Sequence, residues 1–207
     1  DHALVVRDGR IVDLLPAAEA TQRYAPRELI RRPQHVLLPG LVNAHTHSPM
    51  TLFRGMADDL PLDTWLNEHI WPAEARWVDG GFVRDGAELA MLEMLQGGTT
   101  CFNDMYFFPD VIARAVVASG LRACVGMIVL EQATLWARDA GEYLRKGLAA
   151  RDQFRGHPRV SMIFAPHAPY TVADDSFRQI RLLANELDTQ IHMHVHETAS
   201  EISESQT

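Results

Sequence analysis

Two short, mainly apolar runs on either side of a turn dipeptide mark the start of the chain as a hairpin. Two such runs cover residues 3–7 and 10–14, and the dipeptide Asp8-Gly9 separates them. Asp-Gly is favoured in the two-residue type I′ turn that joins antiparallel strands. We therefore predict a β-hairpin at residues 3–14.

Beyond residue 36, short apolar runs alternate with longer runs of helical periodicity. The apolar runs predict strands over residues 36–43, 99–103, 122–130, 160–165 and 190–196. The periodic runs predict helices over residues 83–96, 111–119, 140–154 and 175–187. Repeated strand–helix units are typical of a parallel sheet, so the fold class is predicted to be α/β.

Such units form either an open doubly wound sheet or a closed eight-stranded barrel. No glycine-rich phosphate-binding sequence follows a predicted strand, which argues against the open dinucleotide-binding sheet. Histidines follow several strands, at the end where the active sites of barrels lie. A full barrel needs about 250 residues, so we expect a (β/α)8 barrel of the TIM type with about five of its eight strands present in this chain.

Composition narrows the classes of partner. The net charge of −8 argues against a nucleic-acid surface or an anionic membrane surface, because phosphates repel such a field. No run of about 18 apolar residues predicts a membrane span, and no basic start followed by an apolar stretch indicates a signal peptide. The two cysteines suggest no disulfide framework, so we expect a cytoplasmic protein.

The first candidate metal ligands are His45 and His47, which follow the strand predicted at 36–43. Alternate residues of a strand project to one face, so both imidazoles can converge on one cation. Neutral imidazole suits zinc, iron or nickel. The same pattern also fits two polar residues in a loop.

A second histidine group, His192, His194 and His196, lies at alternate positions of the last predicted strand. Three imidazoles on one face are costly to bury without partners, although a solvated edge strand would also tolerate them. Glu197 follows directly, where a carboxylate can act as general base and acid on a water molecule.

His167 closes a further predicted strand, so three strand ends present histidine to the same mouth. Barrel hydrolases with two metals often bridge them with a carboxylated lysine at a strand end. The single lysine, Lys146, lies in a predicted helix, so one metal is favoured.

The segment LPGLVNAHTH, residues 38–47, resembles the signature of the amidohydrolase superfamily. The segments SPMTLFRG (48–55), WPAE (71–74), HAPY (167–170) and HVHET (194–198), with Trp65, extend the resemblance toward 5′-methylthioadenosine/S-adenosylhomocysteine deaminases. The resemblance covers essentially the whole chain. It implies that residues 1–38 are part of a small β-sandwich domain and that residues 39–207 are the N-terminal portion of the barrel.

The resemblance also implies roles for individual residues. His45, His47 and His194 would bind one divalent metal, most simply Zn²⁺, with Fe²⁺ or Ni²⁺ as alternatives. Glu197 would be the proton shuttle, and His167 would lie beside the substrate and the reacting water. For the substrate, Glu74 would accept the ribose hydroxyls and Trp65 would pack against the nucleoside. Arg138 and Arg145 are the candidates for gripping an amino-acid tail, and both match the family poorly.

The implied reaction is hydrolytic deamination of an adenine nucleoside to its inosine analogue and ammonia. The family's histidine after strand six and its metal-binding aspartate after strand eight have no counterpart here, and we expect both in a missing C-terminal part. The alternative is a hydrolase for another heterocycle, of the guanine deaminase or chlorotriazine hydrolase type. A catalytically dead binding module would not need the intact histidines and Glu197. A homo-oligomer is possible.

Overall fold

The computed structural model describes residues 1–204, and the chain divides into two compact units, of which the first is residues 1–39. This unit contains the antiparallel strands β1 (His2–Arg7) and β2 (Arg10–Pro16), followed by a short helix that was not predicted, α1 (Ala17–Arg23). Asp8 and Gly9 between the strands have φ values of 52° and 73°. A type I′ turn requires positive φ at both positions, so the predicted hairpin is confirmed.

The second unit, from Gly40 onward, is built on a four-stranded parallel sheet. Its strands, in their order across the sheet, are β3 (Leu41–Thr46), β4 (Thr99–Tyr106), β5 (Arg122–Val129) and β6 (Val160–Pro166). The four predicted helices are α4 (Gly80–Gln96), α5 (Pro109–Ser119), α6 (Ala140–Gln153) and α7 (Asp174–Glu186). The predicted α/β class with a parallel sheet is confirmed. In residues 1–204, no helix has the length and apolar character needed to cross a bilayer.

The core lies between the sheet and these helices. Val125, Met127 and Val129 lie on one face of β5 and are buried, and the residues between them on the other face are buried too. Parallel strands are covered on both faces, which explains why β5 has an uninterrupted apolar sequence. Two helices begin at aspartate caps: Asp79 accepts a hydrogen bond from the Phe82 amide and Asp139 from the Glu142 amide, each at 2.8 Å.

A helical stretch that the sequence did not predict connects β3 to α4. It consists of a 3₁₀ helix (Ser48–Phe53), α2 (Leu62–Thr64), a π-helix (Trp65–Ile70) and α3 (Trp71–Trp77). This stretch follows the carboxyl end of β3. It therefore lies at the end of the sheet where the histidines were predicted.

Two predicted strands are wrong in part. The first, predicted over 36–43, begins only at Leu41, because Pro39-Gly40 interrupts the apolar run and the side chains of residues 36–38 are exposed. The last, predicted over 190–196, forms a single bridge between Ile191 and Phe164. It hydrogen-bonds to β6 on one side, and the positive φ of His196 (60°) breaks the alternation. A short helix, α8 (Ala199–Glu204), follows it.

Candidate metal centre and substrate cavity

Three histidines from opposite edges of the sheet meet at the carboxyl end of β3. The Nε2 atom of His194 lies 3.2 Å from Nε2 of His45 and 3.1 Å from Nε2 of His47. His45 belongs to the first strand, and His194 lies beyond the last one, a separation of roughly 19 Å in a flat sheet with ordinary strand spacing. The sheet therefore curls until its two edges meet around the three imidazoles.

The opposite ring nitrogens fix the protonation of two of these histidines. Nδ1 of His47 lies 2.5 Å from the Met105 carbonyl oxygen, and Nδ1 of His194 lies 3.0 Å from that of His167. A carbonyl can only accept, so each Nδ1 carries the proton and each Nε2 presents a lone pair. Two lone pairs that face each other at 3.1 Å repel unless a cation lies between them. The donor set therefore fits a divalent metal, and the carbonyls orient the ligands as partners of metal-bound histidines do.

Burial keeps the imidazoles neutral. Removal from water lowers the pKa of His47 to about 4 and that of His167 to about 3, because the charged form loses its hydration. Burial, followed by the neighbouring His45, also lowers the pKa of His194. Neutral imidazole is the form that binds metals, so His47 and His194 are ready for a cation at neutral pH.

Asp104, a residue that no sequence motif identified, holds the backbone segment next to the histidine cluster. Its side chain is fully buried, and its Oδ1 accepts a hydrogen bond of 2.7 Å from the Ser48 amide, directly after His47. Burial raises the pKa of this carboxyl to about 7. The signal in the sequence is an Asn-Asp pair between the apolar residues Phe102 and Met105 of β4.

A cavity of about 360 Å³ opens beside the histidines. Six of the predicted site residues line it: His47, Trp65, Glu74, His167, His194 and Glu197. His45 is not among them and contacts His194 at the edge of the cluster. Much of the remaining wall is apolar or aromatic, with Phe107, Phe108 and Trp136 among its residues. The cavity therefore suits a flat, largely apolar molecule.

Glu74 faces this cavity from helix α3. Its Oε1 accepts a 2.7 Å hydrogen bond from the Tyr106 hydroxyl, and burial raises its pKa to about 7. One carboxylate oxygen is thus held by Tyr106. The other oxygen is available to accept from a ligand hydroxyl.

Glu197 and His167 are each held by a hydroxyl group. The Tyr170 hydroxyl donates a 2.9 Å hydrogen bond to Oε2 of Glu197, and Nδ1 of His167 lies 2.8 Å from Oγ1 of Thr171. Glu201 accepts from the backbone amides of His196 and Glu197 at 2.8 and 2.7 Å, which fixes the turn that presents Glu197. A proton acceptor and an imidazole therefore stand beside the metal cluster.

The structure does not bring the two candidate arginines to this site. Arg138 and Arg145 pair with Glu142 of α6 at 2.8 and 3.5 Å, and their side chains are 79% and 66% exposed. Neither is among the residues of the described chain that line the cavity. An amino-acid tail would find no arginine in this part of the cavity wall.

Known proteins resemble the chain along its whole length. A 5-methylthioadenosine/S-adenosylhomocysteine deaminase from Teredinibacter turnerae is 50% identical over 99% of this chain. A 5′-deoxyadenosine deaminase from Methanothermobacter thermautotrophicus is 42% identical over 98% of it. The chain spans about half the length of these curated relatives, 46% in both cases.

Solved structures agree with the sequence matches. An adenosine deaminase from Xanthomonas campestris with bound zinc is 52% identical and has a TM-score of 0.97, over 99% of this chain and 47% of that one. A guanine deaminase from C. acetobutylicum, at 18% identity and a TM-score of 0.86, shares the fold. The sequence profile of the Amidohydrolase family matches residues 36–207. With its histidine cluster, its parallel sheet and this match, the chain belongs to the amidohydrolase family.

Proposed function

We propose that the whole protein is a metal-dependent hydrolase that removes the amino group from the adenine ring of a nucleoside. One observation carries the proposal: a single cavity holds two of the three clustered histidines, a proton acceptor and the Glu74 carboxylate. The deaminase relatives named above, which act on adenine nucleosides by name, support this substrate class. The products are the inosine analogue and ammonia.

The proposed architecture is a (β/α)8 barrel, with residues 39–207 contributing its first units. The approach of His194, beyond the last strand, to His45 and His47, at the end of the first strand, supports a closed sheet. Residues 1–38, with their hairpin, would contribute to a small β-sandwich domain. A cytoplasmic location and a homo-oligomer stay predictions.

His45, His47 and His194 are the proposed ligands of one divalent cation. The zinc in the Xanthomonas campestris structure favours Zn²⁺ over Fe²⁺ or Ni²⁺. A cation held there supplies Lewis acidity, which lowers the pKa of water toward neutrality. The burial that keeps His47 and His194 uncharged also keeps their lone pairs available for it.

The remaining residues of the cavity bind the nucleoside and move protons. Glu197 takes a proton from the attacking water as the C6–O bond forms, and it then protonates a nitrogen of the adenine ring. The remaining proton of the new C6 hydroxyl then passes to the exocyclic amino group, the C6–N bond breaks, and ammonia leaves as the C6 carbonyl forms. His167 lies beside the reacting centre, Glu74 accepts the ribose hydroxyls, and Trp65 packs against the nucleoside.

An ammonia-release assay of the whole protein tests the reaction class. We expect turnover of 5′-methylthioadenosine, S-adenosylhomocysteine or adenosine, and none of guanine or a chlorotriazine. Glu197→Gln should lower kcat by about 10²- to 10⁴-fold, the usual contribution of a general acid–base group, while the zinc content is kept. Turnover of guanine or a triazine without turnover of any adenine nucleoside would show that the substrate class is wrong.

A substitution of Glu74 tests whether this residue binds the ribose of the nucleoside. Each hydrogen bond contributes roughly 0.5–1.5 kcal/mol and the ribose has two hydroxyls, so Glu74→Ala should lower kcat/KM for 5′-methylthioadenosine by about 10- to 100-fold. The 2′,3′-dideoxy analogue lacks both hydroxyls, so the same substitution should cost far less with it. Equal losses with the two substrates would remove Glu74 from ribose binding. Glu68→Ala, an exposed position on the preceding π-helix, is the control.

A further inference from the structure

A fourth histidine, His192, contacts the metal cluster without belonging to it. Its Nε2 atom lies 2.7 Å from Nδ1 of His45, and the two ring centroids are 5.0 Å apart. His192 is half-buried and lies two residues before His194 in the segment that follows β6. One short segment thus supplies both a ligand and the neighbour of another ligand.

Each of the three clustered imidazoles has a partner at Nδ1, but the partners differ in kind. Backbone carbonyls of Met105 and His167 serve His47 and His194. The partner of His45 is the side chain of His192. A carbonyl can only accept a hydrogen bond, whereas a neutral imidazole nitrogen can either donate or accept. Of the three partners, therefore, only that of His45 is a side chain, which a substitution can change.

This contact decides which nitrogen of His45 is available to a cation. When His192 accepts from Nδ1 of His45, the Nε2 of His45 presents a lone pair toward His47 and His194. When His192 donates instead, the neutral His45 carries its proton on Nε2, which lies 3.2 Å from Nε2 of His194. A proton at that position excludes the cation from His45.

We propose that His192 is a positioning residue for the metal centre: it accepts the Nδ1 proton of His45 and so fixes the tautomer and ring orientation that metal binding requires. The proposal deepens the proposed function and rests on its assignment of His45 as a ligand. Partners of metal-bound histidines typically change metal affinity by 10- to 100-fold when they are removed. His192 is expected to act with that magnitude.

Zinc affinity of the whole protein, measured by competition with a chromophoric chelator, tests the proposal without any substrate. His192→Leu removes the acceptor and should weaken zinc binding by about 10- to 100-fold. The side-chain oxygen of Gln reaches about as far as Nε2 of histidine and can accept, so His192→Gln should restore most of the affinity. His157→Leu is the matched control, because His157 precedes β6 at the opposite end of the strand and should leave zinc affinity unchanged.

Two zinc-affinity results would overturn the proposal. Wild-type affinity in His192→Leu would show that the contact has no effect on the metal, and equal losses in His192→Leu and His192→Gln would show that shape matters rather than hydrogen bonding. Nitrogen-15 NMR of histidine-labelled wild-type protein gives a readout that needs no variant to fold. We expect His192 to carry its proton on Nδ1, and a proton on its Nε2 would contradict the mechanism.

His45→Ala separates this proposal from the one on which it rests. If His45→Ala binds zinc as the wild type does, the ligand assignment in the proposed function is wrong. If His45→Ala loses the zinc while His192→Leu keeps it, the ligand assignment stands and only the role of His192 is wrong.

Discussion

Burial acts in opposite directions on the two kinds of ionisable residue in the cavity. It raises the pKa of the Glu74 carboxyl to about 7 and lowers that of the His47 imidazole to about 4. Both shifts favour the neutral form, since a low-dielectric surrounding penalises charge of either sign. Glu74 and His47 therefore add little charge to the cavity, and a bound cation would dominate the electrostatics around them.

Glu74 makes the stability of the protein depend on pH in a way that a single substitution can isolate. Its pKa is raised in the folded state, so between about pH 4.5 and 7 the unfolded chain loses this proton more readily than the folded chain does. The contribution of Glu74 to stability is therefore full below pH 4.5 and is lost as the pH rises through about 7. We therefore compare the free energy of unfolding of Glu74→Gln with that of the wild type. We expect this difference to shift in favour of the variant by on the order of 1 kcal/mol between pH 4.5 and pH 8.

Thermal unfolding of the whole protein at a series of pH values measures this effect as a difference between wild type and variant. Other titrating groups cancel in the difference. Glu68→Gln, an exposed carboxylate on the preceding π-helix, should follow the wild type at every pH. A Glu74→Gln difference that does not change with pH would contradict the raised pKa.

Site residues differ in how far the sequence alone could identify them. His45, His47 and His167 could be predicted because strand ends at one end of a parallel sheet are neighbours, whereas the family resemblance singled out His194 from three alternating histidines. Glu74 and Trp65 came only from the family resemblance, since their approach to the cavity depends on the irregular helical stretch after β3. The contact of Asp104 with Ser48 joins residues 56 positions apart, and no local pattern encodes it.

At the scale of elements, the close packing of helix α4 against the chain after His47 can be tested at Gly86. A Cβ atom at this position would lie 2.4 Å from the Pro49 carbonyl oxygen and 2.9 Å from its Cα, and both are backbone atoms that cannot rotate away. Gly86→Ala should therefore lower the free energy of unfolding by about 1–3 kcal/mol, as overpacking does. It should also weaken zinc binding, because Pro49 lies two residues after His47.

Denaturant unfolding and zinc competition of the whole protein measure both effects. Gly141→Ala on α6 is the matched control, since its nearest neighbour would be Oδ1 of Asp139 at an acceptable 3.4 Å. Alanine favours a helix over glycine by roughly 0.5–1 kcal/mol, so this control should be neutral or slightly stabilising. If Gly86→Ala behaves like Gly141→Ala, the helix has room to shift and the contact does not position His47.

Regular elements could be predicted and irregular ones could not. Helices α4 to α7 have a repeated apolar face and lie where the periodicity placed them. The stretch Leu62–Trp77 changes from α to π and back, so no single period describes it. Residues 190–196 have the alternation of a strand, but backbone pairing decides whether a strand forms, and the sequence does not show that His196 takes a positive φ.

At the scale of the whole molecule, the candidate metal centre joins the two edges of the curled sheet. His45 and His47 lie at the carboxyl end of β3, and His194 lies in the segment beyond β6, which is held to its neighbour by only a few backbone hydrogen bonds. A cation bound by all three residues binds the folded state alone, so it stabilises that state by RT ln(1 + [L]/Kd). At a zinc concentration 100 times its Kd, this amounts to about 2.7 kcal/mol.

We therefore expect chelation to lower the Tm of the whole protein, and one equivalent of zinc to restore it. On chelation, hydrogen exchange should increase most at residues 190–196, because His194 in this segment then loses its link to the end of β3, whereas the buried strand β5 should keep its protection. His45→Ala, which removes a proposed ligand, should show the chelated Tm with or without zinc. Uniform loss of protection along the chain on chelation would instead mean that the cation stabilises the fold as a whole and does not specifically hold its two edges together.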